Sequence, residues 1–212
     1  MLILLCFLVC VGLGIGAGVE EKRELAATAT ARGTFLVIAP DEASSYNAAS
    51  GLNDYGIPYE TLVVPSAGAD LPTLNTSTTE GNYGGIVVLT DVSLKTAQWN
   101  TLYAYQTSFG VRMVRLDVVP SSATGTKLLG GCCADGVEQT VTFNDTSRFP
   151  TAGLVKGAAL STLGLWHYPA AIIDSKTTAF LQFGVAAGFS STGSVAAVIN
   201  SFTGGRQQVS GP

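Results

Sequence analysis

The sequence predicts an α/β fold: a small open parallel sheet with covering helices over residues 33–119, followed by a β-rich second half. Three observations lead there. The apolar runs "GTFLVIAP" (33–40) and "YGGIVVLTD" (83–91) read as buried strands, the first on both faces, and "PYETLVVP" (58–65) is a second β-rich run. Between and after them lie stretches whose apolar residues recur at helical spacing. From residue 137 onward the period falls to two.

Each element has its own signal. The run 33–40 is ended by Pro40 and Asp41. In the next segment Ala43, Tyr46, Ala49 and Leu52 share one helical face, with Gly56 as the stop. The run closed by Pro65 completes a βαβ unit, whose strands should be parallel and whose crossover should be right-handed. Two glycines lead into the strand ending at Asp91. Ser93 then caps a helix carrying Leu94, Gln98, Leu102, Tyr105 and Phe109 up to Gly110. "VRMVRLDVV" (111–119) returns as a fourth strand. In the second half, "VEQTVTFND" alternates Val137, Gln139, Val141 and Phe143 against Glu138, Thr140, Thr142 and Asn144, the pattern of a half-exposed strand. "FLQFGVAAGF" and "SVAAVINSF" are further strands, and "TGG" (203–205) is a hairpin turn into "RQQVS". That return strand is so short that its edge is expected to be exposed and to invite self-association.

The domain plan is a signal peptide at 1–18, a linker or propeptide at 19–32 holding the dibasic pair Lys22-Arg23, and a single α/β domain at 33–212. Residues 2–18 are uncharged and slightly short of the ~20 residues a spanning helix needs. A cleaved leader fits them better than an uncleaved anchor, although no basic residue precedes the run. Secretion agrees with sequons at Asn75 and Asn144. It also sets the state of the sulfur: outside the leader the only cysteines are the adjacent Cys132 and Cys133, which an oxidising compartment should oxidise. Neighbouring Cα atoms sit ~3.8 Å apart, closer than the ~4.4–6.8 Å of ordinary disulfides. A bond between them is therefore a strained eight-membered ring; the alternative is pairing with cysteines outside this chain.

Charged residues make up 12% of the chain and the net charge is −4, which excludes a nucleic-acid or acidic-membrane surface. Ser, Thr, Asn, Gln and Gly must supply the polar surface, a composition suited to handling neutral polymers. Asp41 and Asp91 stand at the carboxyl ends of buried strands, where open sheets bind ligands. They serve as hydrogen-bond acceptors for sugar hydroxyls or help hold a cation, or else each caps the helix that follows. "IAPDEASSYN" lacks the glycines of a dinucleotide site. "LGLWHYPAA" (163–171) gathers Trp166, the sole histidine His167, and Tyr168 between Gly164 and Pro169. Aromatic faces of this kind stack on pyranose rings, and they equally anchor a loop in a core. An α/β hydrolase or amidotransferase-like enzyme is the alternative reading. It lacks a Ser or Cys in a strand-to-helix elbow, since both "IAPDEA" and "LTDVSL" turn through Asp.

Taken together, "GTFLVIAPDEASSYNAASGLNDYGIPYETLVVP", "YGGIVVLTD", "GGCCADGVEQTVTF", "LWHYPAA" and "AAVINSFTGGRQQV" resemble the amino-terminal region of secreted fungal exopolysaccharide deacetylases acting on galactosamine-containing polymers such as galactosaminogalactan. The resemblance runs from about residue 33 to the end. It implies a carbohydrate-binding part that precedes a metal-dependent catalytic domain, with a polysaccharide as partner and a secreted or cell-wall-associated location. The divalent metal belongs to that catalytic domain; no cofactor is expected in this chain, whose single histidine has no ligand constellation around it. The chain is therefore expected to be a binding part without its catalytic half, with an inert truncated fragment as the remaining alternative. Within one such molecule Cys132 and Cys133 could pair only with each other, as a staple of their loop or as a sulfur face toward a sugar.

Overall fold

The computed structural model describes residues 29–130, 137–186 and 193–211. The leader, most of the linker, and Cys132 and Cys133 lie outside the described residues. The chain divides into two compact units, the first reaching Leu116 and taking back Phe202–Gln208, the second holding Asp117–Ser201 and Val209–Pro212.

In the first unit the elements are β1 (Thr30–Ala31), β2 (Phe35–Ala39), α1 (Glu42–Asp54), β3 (Tyr59–Val63), β4 (Glu80–Gly81), β5 (Gly85–Leu89), α2 (Thr96–Phe109) and β6 (Arg112–Leu116). β2 pairs in parallel with both β3 and β5, and β5 with β6, giving the order β3-β2-β5-β6. The two inner strands are buried along almost their whole length, which is why their sequences are continuous apolar runs rather than alternating ones. β3 lies at the sheet's edge and is more exposed, so it tolerates Glu60 and Thr61. Leu36, Ile38, Ile86, Val88, Leu102 and Met113 form the heart of the core. Each such side chain contributes about 1.5–3 kcal/mol of burial free energy.

The helices depart from their expected faces in instructive ways. α1 buries Ala49 and Leu52 as predicted, together with Ser45, Ala48 and Gly51, but Tyr46 is exposed. Small residues let this helix lie close to the sheet, and a tyrosine does not fit under it. α2 starts at Thr96 with Lys95 as its N-cap, not at Ser93, and the Gln98 side chain accepts a hydrogen bond from the Lys95 N–H at 2.9 Å. Leu102 and Tyr105 are buried as expected.

The second unit is antiparallel throughout. Its strands are β7 (Thr126–Leu128), β8 (Val141–Phe143), β9 (Ala159–Leu160), β10 (Ala170–Ile172), β11 (Thr177–Phe183) and β12 (Ser194–Ser201), with β13 (Gln207–Ser210) divided between the two units. β11 pairs with β12 and β8, β8 with β9, and β10 with β7 and β12. The predicted alternation in 137–144 appears as burial of Gln139, Val141 and Phe143 between more exposed neighbours.

Two expectations need correction. The α/β class overstates the helices: the described residues hold two α-helices against thirteen strands, in parallel and antiparallel pairings, so the chain is mostly β. The connection from β3 to β5 is irregular apart from the two residues of β4, because the Pro, Ser, Thr and Gly of 64–82 favour turns over helix. The exposed edge expected at the last strand is also not found. Gln208 and Val209 of that strand are each 1% exposed.

Candidate functional site

The aromatic segment of the second unit is a loop with a fixed base and an open tip. Leu163, Leu165 and Trp166 are exposed, Trp166 at 64%, while His167 beside them is only 2% exposed. A buried imidazole must be hydrogen-bonded to be tolerated. Nδ1 of His167 lies 2.9 Å from the Leu165 carbonyl oxygen and Nε2 lies 3.1 Å from Oε1 of Gln139. Gln139, fully buried, is oriented by its other end, where Nε2 donates to the Gly184 carbonyl at 2.7 Å. The ring also packs against Phe183, centroid to centroid 5.0 Å.

A second tie sits at the loop's beginning. Thr162 Oγ1 accepts from the Gln139 N–H at 2.9 Å and donates to the Gln139 carbonyl at 2.8 Å. Glu138 accepts from the Ser161 hydroxyl, and the Leu165 N–H returns to the Thr162 carbonyl at 2.9 Å. One residue, Gln139, thus holds both ends of the loop. The backbone on either side of Trp166 is held in this way, and its exposed indole offers a face on which a sugar ring can stack. Tyr168 instead lines a small hollow together with Val118, Thr124, Thr126, Val195 and Ser210.

The structure therefore brings Trp166, His167 and Tyr168 into one segment but gives them different tasks. His167 is an anchor, and neither ring nitrogen is left to serve as a base for a nucleophile. Asp41 is the N-cap of α1: its Oδ1 accepts from the Ser44 N–H at 2.7 Å, and that bond holds its carboxyl below the usual carboxylate range. Asp91 accepts from Nη2 of Arg115 at 2.8 Å. Its side chain is 76% exposed, whereas that of Arg115 is 8% exposed and lies 5.3 Å from the Trp99 ring centroid. These two carboxylates belong to the first unit and the aromatic loop to the second. Asn75 is exposed and Asn144 is half-buried. Among the described residues no three His, Cys, Asp or Glu side chains gather in a way that could hold a metal ion.

Sequence reasoning missed Gln139 and Thr162. Gln139 was placed on the inward face of its strand, and a glutamine at an inward position is itself the sign of a buried polar hub.

With this geometry in place, the comparisons identify the family. None of the curated proteins compared with the chain matches it. Among solved structures, the crystal structure of Agd3, described as a novel carbohydrate deacetylase, is 50% identical and superposes with a TM-score of 0.82. The match covers 86% of this chain and 29% of that one, so the chain spans less than a third of the relative's length. A glutamine amidotransferase from Thermotoga maritima (12% identity, TM-score 0.48, 83% of this chain and 74% of that one) and PurLQS from the same organism (11%, 0.44, 84% and 85%) are too distant to bear on fold or activity. The Agd3 CBM87 family model matches residues 31–210, from β1 to the last strand, and the chain belongs to that family.

Proposed function

We propose that this chain is a secreted carbohydrate-binding domain for an amino-sugar, galactosamine-containing polysaccharide, and that Trp166 is its stacking platform. The family membership and the 50% identity to a carbohydrate deacetylase support the ligand class. The observation that carries the site is the exposed indole beside a buried His167, whose ring nitrogens face the Leu165 carbonyl and Oε1 of Gln139. In this reading His167 and Gln139 position the platform, Tyr168 and its hollow receive a neighbouring group of the polysaccharide, and Asp41 and Asp91 are separate candidate acceptors within the first unit. Catalysis and its metal belong to the remainder of an Agd3-type protein. The amidotransferase-like alternative is not favoured, because His167 is committed to Leu165 and Gln139.

Export as a cleaved precursor, glycans at Asn75 and Asn144, and a bond between Cys132 and Cys133 belong to the same reading. No helix among the described residues is long and apolar enough to cross a membrane.

The test is affinity electrophoresis in gels containing galactosaminogalactan, chitosan or an unrelated glucan. Retardation by the amino-sugar polymers is expected for the parent chain. A loss of at least about tenfold in affinity is expected for Trp166→Ala, the removal of one stacked aromatic. Equal mobility of the parent chain in all three gels would sink the proposal.

A further inference from the structure

We propose a second binding site in the first unit, formed by Arg206, Phe202 and Tyr103: a fork for a single carboxylate carried on an acidic sugar residue. It goes beyond the amino-sugar reading and rests on it only in choosing a saccharide as the carrier of the carboxylate.

The site is built by a tight turn. Gly204 and Gly205 have φ of 84° and 80°, and the Phe202 N–H donates to the Arg206 carbonyl at 2.9 Å, so the two side chains leave the turn together. A Cβ on Gly204 would lie 3.3 Å from Cγ2 of Thr107, so the turn sits close on α2. Gln106 fixes its exit, donating from Nε2 to the Gln207 carbonyl at 2.9 Å. One helical turn before Thr107, Tyr103 meets the guanidinium from α2. The guanidinium carbon stands 4.1 Å from the Tyr103 centroid and 3.6 Å from that of Phe202, between two rings.

What this cation lacks is an anion. Among the described residues Arg206 has no ion pair and its guanidinium no hydrogen bond, and Nη1 is buried without a partner. Burial pushes its pKa down from the usual guanidinium value, the mark of a cation short of counter-charge. Nε and Nη2 are not among the buried atoms, so the open edge is the one whose two parallel N–H groups match a carboxylate bidentately. The two rings fix the plane of that fork and flank it with apolar surface, which suits the CH face of a pyranose bearing the carboxylate. A chain of net charge −4 repels a dense polyanion, so an isolated carboxylate on an otherwise neutral glycan fits better than a polyphosphate or polysulfate.

The experiment follows the Arg206 Nε–Hε resonance by NMR while the full chain is titrated with an alternating glucuronate–N-acetylglucosamine tetrasaccharide. Parallel titrations use the neutral N-acetylglucosamine tetrasaccharide, inorganic sulfate and an acidic peptide. The uronate sugar should move the resonance and the other three should not. Arg206→Gln should weaken uronate binding at least about tenfold, and Arg206→Lys, which keeps the charge but loses the fork, nearly as much. Melting curves accompany both variants, and the lysine variant decides if the glutamine one does not fold. An unmoved resonance, or uronate affinity unchanged in both variants, overturns the site. Equal shifts with sulfate or with the peptide overturn its assignment to a sugar. Retardation by galactosaminogalactan, read separately with Trp166→Ala, shows whether the amino-sugar reading stands or falls on its own.

Discussion

Asp41 shows how a single residue can look like a ligand and act as a cap. Its carboxylate meets the first free N–H groups of α1, where a negative charge is also favoured by the helix dipole. Because its folded pKa lies below the ordinary 3.8, Asp41 stabilises the fold above about pH 4, and this contribution is lost as pH falls through the lower folded value. Asp41→Asn keeps an acceptor but removes the titration. Urea melts of the two proteins should therefore differ near neutral pH and converge toward pH 2; a gap that stays constant would show that charge has no part in the cap. Gly125 makes the opposite point, since its conformation is required by space. It has φ of 64°, and a Cβ there would run into Thr177 Oγ1 and approach Asp174 Oδ2 to 2.6 Å and Asn200 Nδ2 to 3.0 Å. Gly125→Ala should cost at least about 2 kcal/mol in equilibrium denaturation, because the surrounding polar side chains already bond one another.

Among the elements, α2 is tied to the sheet by one hydroxyl. Tyr105 Oη donates to the Tyr83 carbonyl at 2.6 Å and accepts from the Tyr83 N–H at 2.9 Å, just ahead of β5. Tyr105→Phe leaves both backbone groups buried and unpaired, so it should destabilise by about 1–3 kcal/mol, with faster amide exchange at Tyr83 as the specific sign. An unchanged exchange rate there would mean that water replaces the hydroxyl. Three strands of this unit were legible because burial on both faces leaves a largely apolar run, as 33–40, 83–91 and 111–119 do for β2, β5 and β6, whereas the exposed edge strand β3 was marked by its β-rich run between Pro58 and Pro65. The strands that went unread are β1, β4, β7, β9 and β10, each of two or three residues. So short a segment has no period to detect, and its pairing is decided by partners distant in sequence, as Ala170 to Ile172 are by Thr126 to Leu128. The aromatic loop was legible as a cluster, but the division of labour within it was not. Sequence places Trp166 and His167 side by side, whereas their opposite exposure follows from Gln139, whose Oε1 lies 3.1 Å from the imidazole across 28 positions.

On the scale of the whole molecule, the last strand belongs to both compact units: Gln207 and Gln208 fall in the first, and Val209 and Ser210 in the second. A strand of this kind is a shared structural element, and its removal withdraws buried groups from each unit at once. Gln106, itself buried, would lose the Gln207 carbonyl that its amide holds, and Val118 would lose the Gly211 carbonyl that accepts its N–H at 3.4 Å. Val209 would take with it a fully buried aliphatic side chain, about 1.5–3 kcal/mol of burial in its own right. These losses exceed what a domain of ordinary stability can absorb when strand neighbours are also left with unpaired backbone. A chain ending at Arg206 should therefore show no cooperative thermal transition and should aggregate by light scattering, because apolar surface that Val209 and its neighbours cover is then open to solvent. The chain of residues 1–212 should stay monomeric under the same conditions. If the shortened chain melted cooperatively at the temperature of the intact one, β13 would be an ornament of the sheet, and the burial of Gln208 and Val209 would have no bearing on stability.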